Sequence, residues 1–169
     1  GFSPEDLRIN LIRDSRLRGN GSKMGYFLLK TEPTVYSYSD LERDKKAVWD
    51  GVTSPGGLFQ IKTAHKGDVA FIYHTGDEKQ IVGICEITTD AYVDPKAGNP
   101  KLYVFDIKPK RKLPNPVTLE QMKADKRFAE SRILTEPRLS VQPVPVKIWN
   151  TILQLGGLDA NIVFSKNGG

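Results

Sequence analysis

The sequence predicts an α+β fold: a small, mixed and mostly antiparallel β-barrel or curled sheet with short helices packed on it. Three observations lead there. The strand-like runs are short and are set apart by 15 glycines and 11 prolines spread along 169 residues. Helical segments are few and do not alternate regularly with strands, which argues against a doubly wound parallel sheet. Residues 69–74 and 80–88 are apolar runs joined through Thr75-Gly76-Asp77, the pattern of a hairpin.

In chain order, residues 1–23 read as a leader, non-native or disordered. Gly19-Asn20-Gly21-Ser22-Lys23 is a flexible run that stops at Met24. Ser3-Pro4-Glu5-Asp6 has the composition of a helix start, while Arg8 and Arg13 interrupt any secretory apolar core. Residues 24–157 form the single domain and residues 158–169 a tail. Within the domain, 26–30 is a buried strand. Ser37 and Asp40 have capping-box spacing and open a short helix. Residues 47–49 are a strand ended by Asp50-Gly51, and 53–58, with Pro55-Gly56-Gly57, are expected to be a flexible loop. Residues 102–108 alternate as a strand. Thr118 and Gln121 repeat the capping-box spacing and start a helix through Leu119 and Met122. Residues 139–142 are the last strand. Residues 146–155 are an amphipathic helix carrying Trp149, Ile152 and Leu153 on one side, with Gly156 placed to end it.

Composition excludes several classes. Hydrophobic residues make up 38% and charged residues 27%, so the chain can build a core. Its apolar runs are far too short to span a bilayer as helices. One cysteine, Cys85, precludes an internal disulfide; its apolar strand marks it as a small buried hydrophobe. Two histidines, His65 and His74, offer little for a metal cage, and no cofactor or metal is expected. The net charge is +5; residues 1–23 hold five basic and three acidic groups, which leaves residues 24–169 at +3. That excess is compatible with a polyanionic partner without requiring one.

No phosphate loop, dinucleotide fingerprint or nucleophile elbow is present. What stands out are polar residues at the ends of apolar strands: Lys30, Thr31 and Glu32; Trp49, Asp50 and Gly51; Tyr73 and His74. Charge at such positions is costly unless it pairs or faces a cleft. Together they suggest a concave site with an aromatic face and hydrogen-bonding edges, suited to a flat heteroaromatic ligand. Lys108, Lys110, Arg111 and Lys112 form the densest basic segment, read either as a phosphate contact or as a lysine-protected strand edge with Pro109.

Several motifs in order resemble the EVE-domain family: residues 26–33 (Tyr-Phe-Leu-Leu-Lys-Thr-Glu-Pro), Trp49-Asp50-Gly51-Val52, Gly67-Asp68 through Phe71-Ile72-Tyr73-His74, Ile81-Val82-Gly83-Ile84, and the closing Leu139-Ser140-Val141-Gln142-Pro143-Val144. The resemblance spans about residues 24–157. It implies a PUA-like barrel, related to ASCH and YTH domains, that reads a modified or unpaired base, such as a modified cytosine, in DNA or RNA. Trp49 would be the aromatic wall. Lys30, Thr31 and Tyr36 would line one side, and Asp50, Gly51 and Val52 another. Tyr73, His74, Leu139 and Ser140 would complete the rim. The chain departs from the family at residues 53–60, which lack its arginine and asparagines.

The expectation is therefore a non-enzymatic nucleic-acid-binding domain in which Trp49→Ala abolishes base discrimination and leaves the fold intact. One alternative is a small enzyme acting on RNA or a nucleoside through Lys30, Glu32, Asp50 and His74. A second is a protein–protein adaptor. No membrane partner is expected, the oligomeric state is open with a monomer as the default, and the compartment is the cytoplasm of a bacterium or the nucleus of a eukaryote.

Overall fold

The computed structural model describes residues 16–159. The helix signal at Ser3-Pro4-Glu5-Asp6 and all but the first two residues of the tail lie outside them. The elements follow in the order β1 (Tyr26–Thr31), α1 (Tyr38–Asp44), β2 (Ala47–Trp49), α2 (Pro55–Thr63), β3 (Val69–His74), β4 (Gln80–Ile87), β5 (Tyr92–Val93), β6 (Tyr103–Thr118), α3 (Leu119–Lys123), a single 3-10 turn (Lys126–Phe128), α4 (Arg132–Thr135), β7 (Val141–Pro143) and α5 (Val146–Leu155). The strands make one curled sheet in the order β2-β6-β4-β3-β1-β7, with β5 paired to β6. Among the described residues β1 and β3 are the one parallel pair; the other pairs are antiparallel. This is the mixed, mostly antiparallel sheet with short flanking helices that the sequence predicts.

The continuous apolar runs of β1 and β3 have a direct cause: both faces of the sheet are covered. Tyr26 and Leu28 of β1 and Val69, Phe71 and Tyr73 of β3 share one core with Trp149, Ile152 and Leu153 of α5. Phe27 and Leu29, with Ala70 and Ile72, point the other way, into a second core with Tyr38 and Leu41 of α1, Ile61 of α2 and Trp49. Strand side chains alternate between faces, so a strand buried on both sides reads as unbroken hydrophobicity. On the first face Trp149 is fully buried and stacks on Phe71 with ring centroids 3.9 Å apart.

Helix starts follow their caps. Both halves of the capping box form at Ser37 and Asp40 and again at Thr118 and Gln121. Gly156 closes α5, and the left-handed residue that follows is Gly157, φ +87°. Three local expectations need correction. Residues 53–58 are not a loop: Ser54 caps Gly57, Pro55 occupies the first helical turn, and α2 runs to Thr63. Proline lacks only an amide that a first turn leaves unpaired. The glycines serve close packing, since a Cβ on Gly57 would lie 2.6 Å from Val52 Cγ1. The strand expected at 102–108 continues to Thr118, carrying Pro109 at a register shift against Ile84 and Cys85 and the 114–116 prolines at a second shift against Ile81 and Gly83. Bulges are where a sheet tolerates proline. The last strand begins at Val141; Leu139 and Ser140 precede it, although Ser140 O still accepts from the Lys30 amide at 2.9 Å.

Part of the stretch read as leader packs on the domain. Leu17 bridges Lys23, and the Arg18 guanidinium forks onto the fully buried carboxylate of Asp68 at 2.6 and 2.9 Å. Asp68 also accepts the amides of Gly25 and His65, at 2.8 and 2.9 Å.

Candidate functional site

A cavity of about 690 Å³ opens where β1, β2 and the segment before α2 meet. That is within the size range of small-ligand sites, roughly 300–1,000 Å³. Its walls are built locally. Trp49, the last residue of β2, pairs with Phe105 and is only 8% exposed, so most of its indole belongs to the second core and the remainder faces the cavity. Gly51 turns the chain directly after it at φ +82°, a conformation that favours glycine. The turn sets Asp50, Val52, Thr53 and Ser54 along the adjoining wall. Across from it stand Lys30 and Thr31 at the end of β1, and Tyr36.

Hydrogen bonds hold these groups. Thr31 donates its hydroxyl to Tyr36 O at 2.8 Å, closing the 32–36 turn. Tyr36 donates to Asp44 Oδ2 at 2.9 Å, and burial together with that carboxylate pushes its phenol pKa up to about 12, so it remains a donor at neutral pH. Lys30 donates to Pro137 O at 2.6 Å, and burial lowers its pKa from the ordinary lysine value. No carboxylate among the described residues pairs with it. The lip is apolar on one side, where Val35 is 79% and Val48 46% exposed, and cationic on the other, where Arg138 is exposed.

The structure thus brings Lys30, Thr31, Tyr36, Trp49, Asp50, Gly51, Val52 and Ser140 to one cavity. Four expected site residues, the rim residues Tyr73, His74 and Leu139 together with Glu32, lie elsewhere. Tyr73 and His74 are strand neighbours, so they point to opposite faces. Tyr73 pairs with Lys30 and enters the α5 core; His74 pairs with Thr31 and is buried beneath α1. There His74 Nε2 accepts the Tyr38 amide at 3.0 Å, which assigns the proton to Nδ1, and Nδ1 meets Glu78 Oε1 at 2.8 Å. Glu32 accepts from the Thr34 hydroxyl at 3.2 Å and packs against Gly76. Leu139 borders a neighbouring groove with Gly56. Of the four groups required by the enzymatic alternative, only Lys30 and Asp50 share the cavity.

The basic segment also lies apart from the cavity walls. Lys108 and Lys110 approach Glu86 Oε1 at 4.0 and 3.7 Å. Cys85 is fully buried, and desolvation raises its thiol pKa, so it is the inert residue its strand suggested.

Sequence reasoning missed Arg138, Val35, Val48, Thr53 and Ser54. Ser54-Pro55 was the available signal for the last two, as a serine-capped helix start. Arg138 had no local signal: Lys30 and Gln142 place its loop at the cavity. Trp49→Ala must also be reconsidered, because a tryptophan so deeply packed cannot be truncated without loss of core, typically about 3–5 kcal/mol.

Among the described residues no helix is long and apolar enough to cross a membrane.

Comparison with known proteins places this arrangement in context. Rpa0253 of Rhodopseudomonas palustris is 37% identical, with TM-score 0.76 over 79% of this chain and 94% of its own. Atu2648 of Agrobacterium tumefaciens is 30% identical, also with TM-score 0.76 and the same shares of each chain. Human THYN1, solved in complex with 5-methylcytosine-containing DNA, shares the fold at 24% identity and TM-score 0.73, over 80% of this chain and 99% of its own. The EVE-domain model matches residues 25–155, which takes in every wall of the cavity and both cores but for Leu158, and the chain belongs to the EVE-domain family.

Proposed function

We propose that this domain binds nucleic acid and receives an unpaired or extruded, modified base in the Trp49 cavity. The observation that carries the reading is the cavity itself: an indole wall, with a carboxylate at Asp50 and a cation at Arg138 that have no ion-pair partner among the described residues, around an opening of nucleotide-binding size. The base stacks on Trp49. Asp50 accepts from an exocyclic amine, as acidic side chains do from cytosine N4. Extruding a base costs a few kcal/mol, least where it is already unpaired. Stacking returns about 1–3 kcal/mol, so affinity without the right base is low and salt-sensitive. The THYN1–DNA complex supports the same use of this fold.

The test is anisotropy titration of short labelled DNA and RNA strands carrying cytosine, 5-methylcytosine, 5-hydroxymethylcytosine or methylated adenine. Tryptophan emission is followed in parallel. Trp149 is sealed in the core, so quenching reports Trp49. One modified base should bind and quench selectively. Trp49→Leu, which keeps apolar bulk and removes the ring, should lose roughly tenfold or more of that preference. A preference that survives in Trp49→Leu, in a variant that melts as a folded protein, would remove Trp49 from the site.

A further inference from the structure

Resting on the nucleic-acid reading above, we propose that the sugar–phosphate backbone of the bound strand runs along a cationic track from Arg138 through Lys30 to Lys79. The basic segment at 108–112 is not its path.

Three depressions meet around the loop 136–140. The base cavity shares Ser54 and Arg138 with a groove of about 480 Å³ along Glu136–Leu139. It shares Lys30 with a smaller cavity of about 170 Å³ bounded by Tyr73, Gly76 and Lys79. Pro137 borders both outer depressions. A chain entering the base cavity therefore has an adjoining depression on either side, and a cation stands at each junction.

The loop between them is a fixed ridge. Gln142, fully buried, donates to Glu136 O at 2.8 Å; Lys30 Nζ donates to Pro137 O; the Lys30 amide donates to Ser140 O. Three anchors in five residues leave the Arg138 side chain as the free, exposed element. Lys30 lies 5.5 Å above the Tyr73 ring, which restricts its ammonium to the boundary of the two cavities.

The charge balance favours this track. Arg138, Lys30 and Lys79 have no carboxylate partner among the described residues. Of the acids nearby, Glu136 is neutralised by Arg132 at 3.0 Å, whereas Glu32, which accepts from Thr34 beside Gly76, keeps its charge and leaves a net positive balance to the three cations. By contrast Lys108 and Lys110 share Glu86, so a phosphate there would compete with an existing carboxylate, and Arg111 and Lys112 line none of the three depressions.

The test is a salt series on the labelled strands used for the base panel. Each phosphate contact contributes about 0.7 to the slope of log affinity against log salt for a single strand. Arg138→Ala and Lys79→Ala, both exposed positions, should each reduce the slope by about 0.7, and Lys79→Ala, which lies outside the base cavity, should leave the ratio between modified and unmodified strands unchanged. Lys108→Ala and Lys112→Ala should leave the slope at its wild-type value. Unchanged slopes in Arg138→Ala and Lys79→Ala overturn the track, and if base preference persists the reading of the cavity stands without it. Reduced slopes with no base preference in the wild type keep the track and remove the base reader. A wild-type protein that binds neither DNA nor RNA removes both.

Discussion

Tyr38 packs over Gly83 so closely that a Cβ on the glycine would lie 2.5 Å from the phenol carbon Cζ. The ring cannot swing aside. Its hydroxyl donates to Ile84 O at 2.7 Å and its amide donates to His74 Nε2 at 3.0 Å, both in buried surroundings. Gly83→Ala should therefore destabilise by about 1–3 kcal/mol through overpacking, although alanine suits a strand better than glycine. Urea unfolding measures this, and an unchanged midpoint would mean that α1 rides loosely on β4.

Gly56 and Gly57 should respond with opposite signs. Both lie in α2, where alanine normally gains up to about 1 kcal/mol over glycine. At Gly56 the new methyl meets only the flexible end of Leu139, at 3.2 Å, so Gly56→Ala should be neutral to stabilising. At Gly57 it meets Val52 Cγ1 at 2.6 Å, and Val52 lines the Trp49 cavity. Gly57→Ala should lower thermal stability and weaken ligand binding together. The pair of melting curves, read beside binding curves, decides between helix propensity and cavity shape.

Asp68 is a buried carboxylate satisfied by four donors. Asp68→Ala orphans two amides and a guanidinium that is itself largely covered, and should cost about 3–5 kcal/mol. Arg18→Ala should cost less, because the Gly25 and His65 amides remain on the carboxylate. Equal losses would mean that Arg18 supplies all of the compensation. No loss in Arg18→Ala would detach residues 16–23 from the folded unit.

The His74–Glu78 contact makes part of the stability pH-dependent. The Nδ1–H donates to Glu78 and lowers the pKa of that carboxyl below the ordinary glutamate value. A depressed acid favours the folded chain fully above its unfolded-state pKa, about 4.3, and the gain is lost as pH falls through the lowered folded value. The melting temperature should therefore drop on acidification below about pH 4.3, and Glu78→Gln should flatten that drop. The effect is small because Glu78 is 41% exposed, and salt should screen it further.

Much of this architecture was legible in the sequence because it follows from local chemistry. Both capping boxes, the β3–β4 hairpin, the α5 stripe and the end of α5 at Gly156 each depend on residues a few positions apart. The errors arose where distant contacts decide. Pro55-Gly56-Gly57 has the composition of a loop, and the glycines are needed only because Val52 and Leu139 press on the helix. β6 runs through three prolines because bulges against β4 absorb them. In the site, the wall around Trp49 was legible because its residues are nearly contiguous. The rim was not. Naming both Tyr73 and His74 ignored the alternation of a strand, and Arg138 reaches the cavity only through anchors on Lys30 and Gln142.

Almost the whole wall of the cavity belongs to the single excursion that connects the parallel pair β1 and β3. Residues 31–54 supply the indole, the carboxylate and the apolar lip; Lys30, Arg138 and Ser140 complete it from outside. The same excursion holds β2, which pairs with β6 at the edge of the sheet, and Tyr38, Leu41 and Trp49 of the second core. Ligand preference and structural integrity are thus interleaved in one stretch of the gene: relatives can diverge in what they recognise at Asp50, Thr53 and Ser54, while Tyr38, Leu41 and Trp49 must go on serving the scaffold.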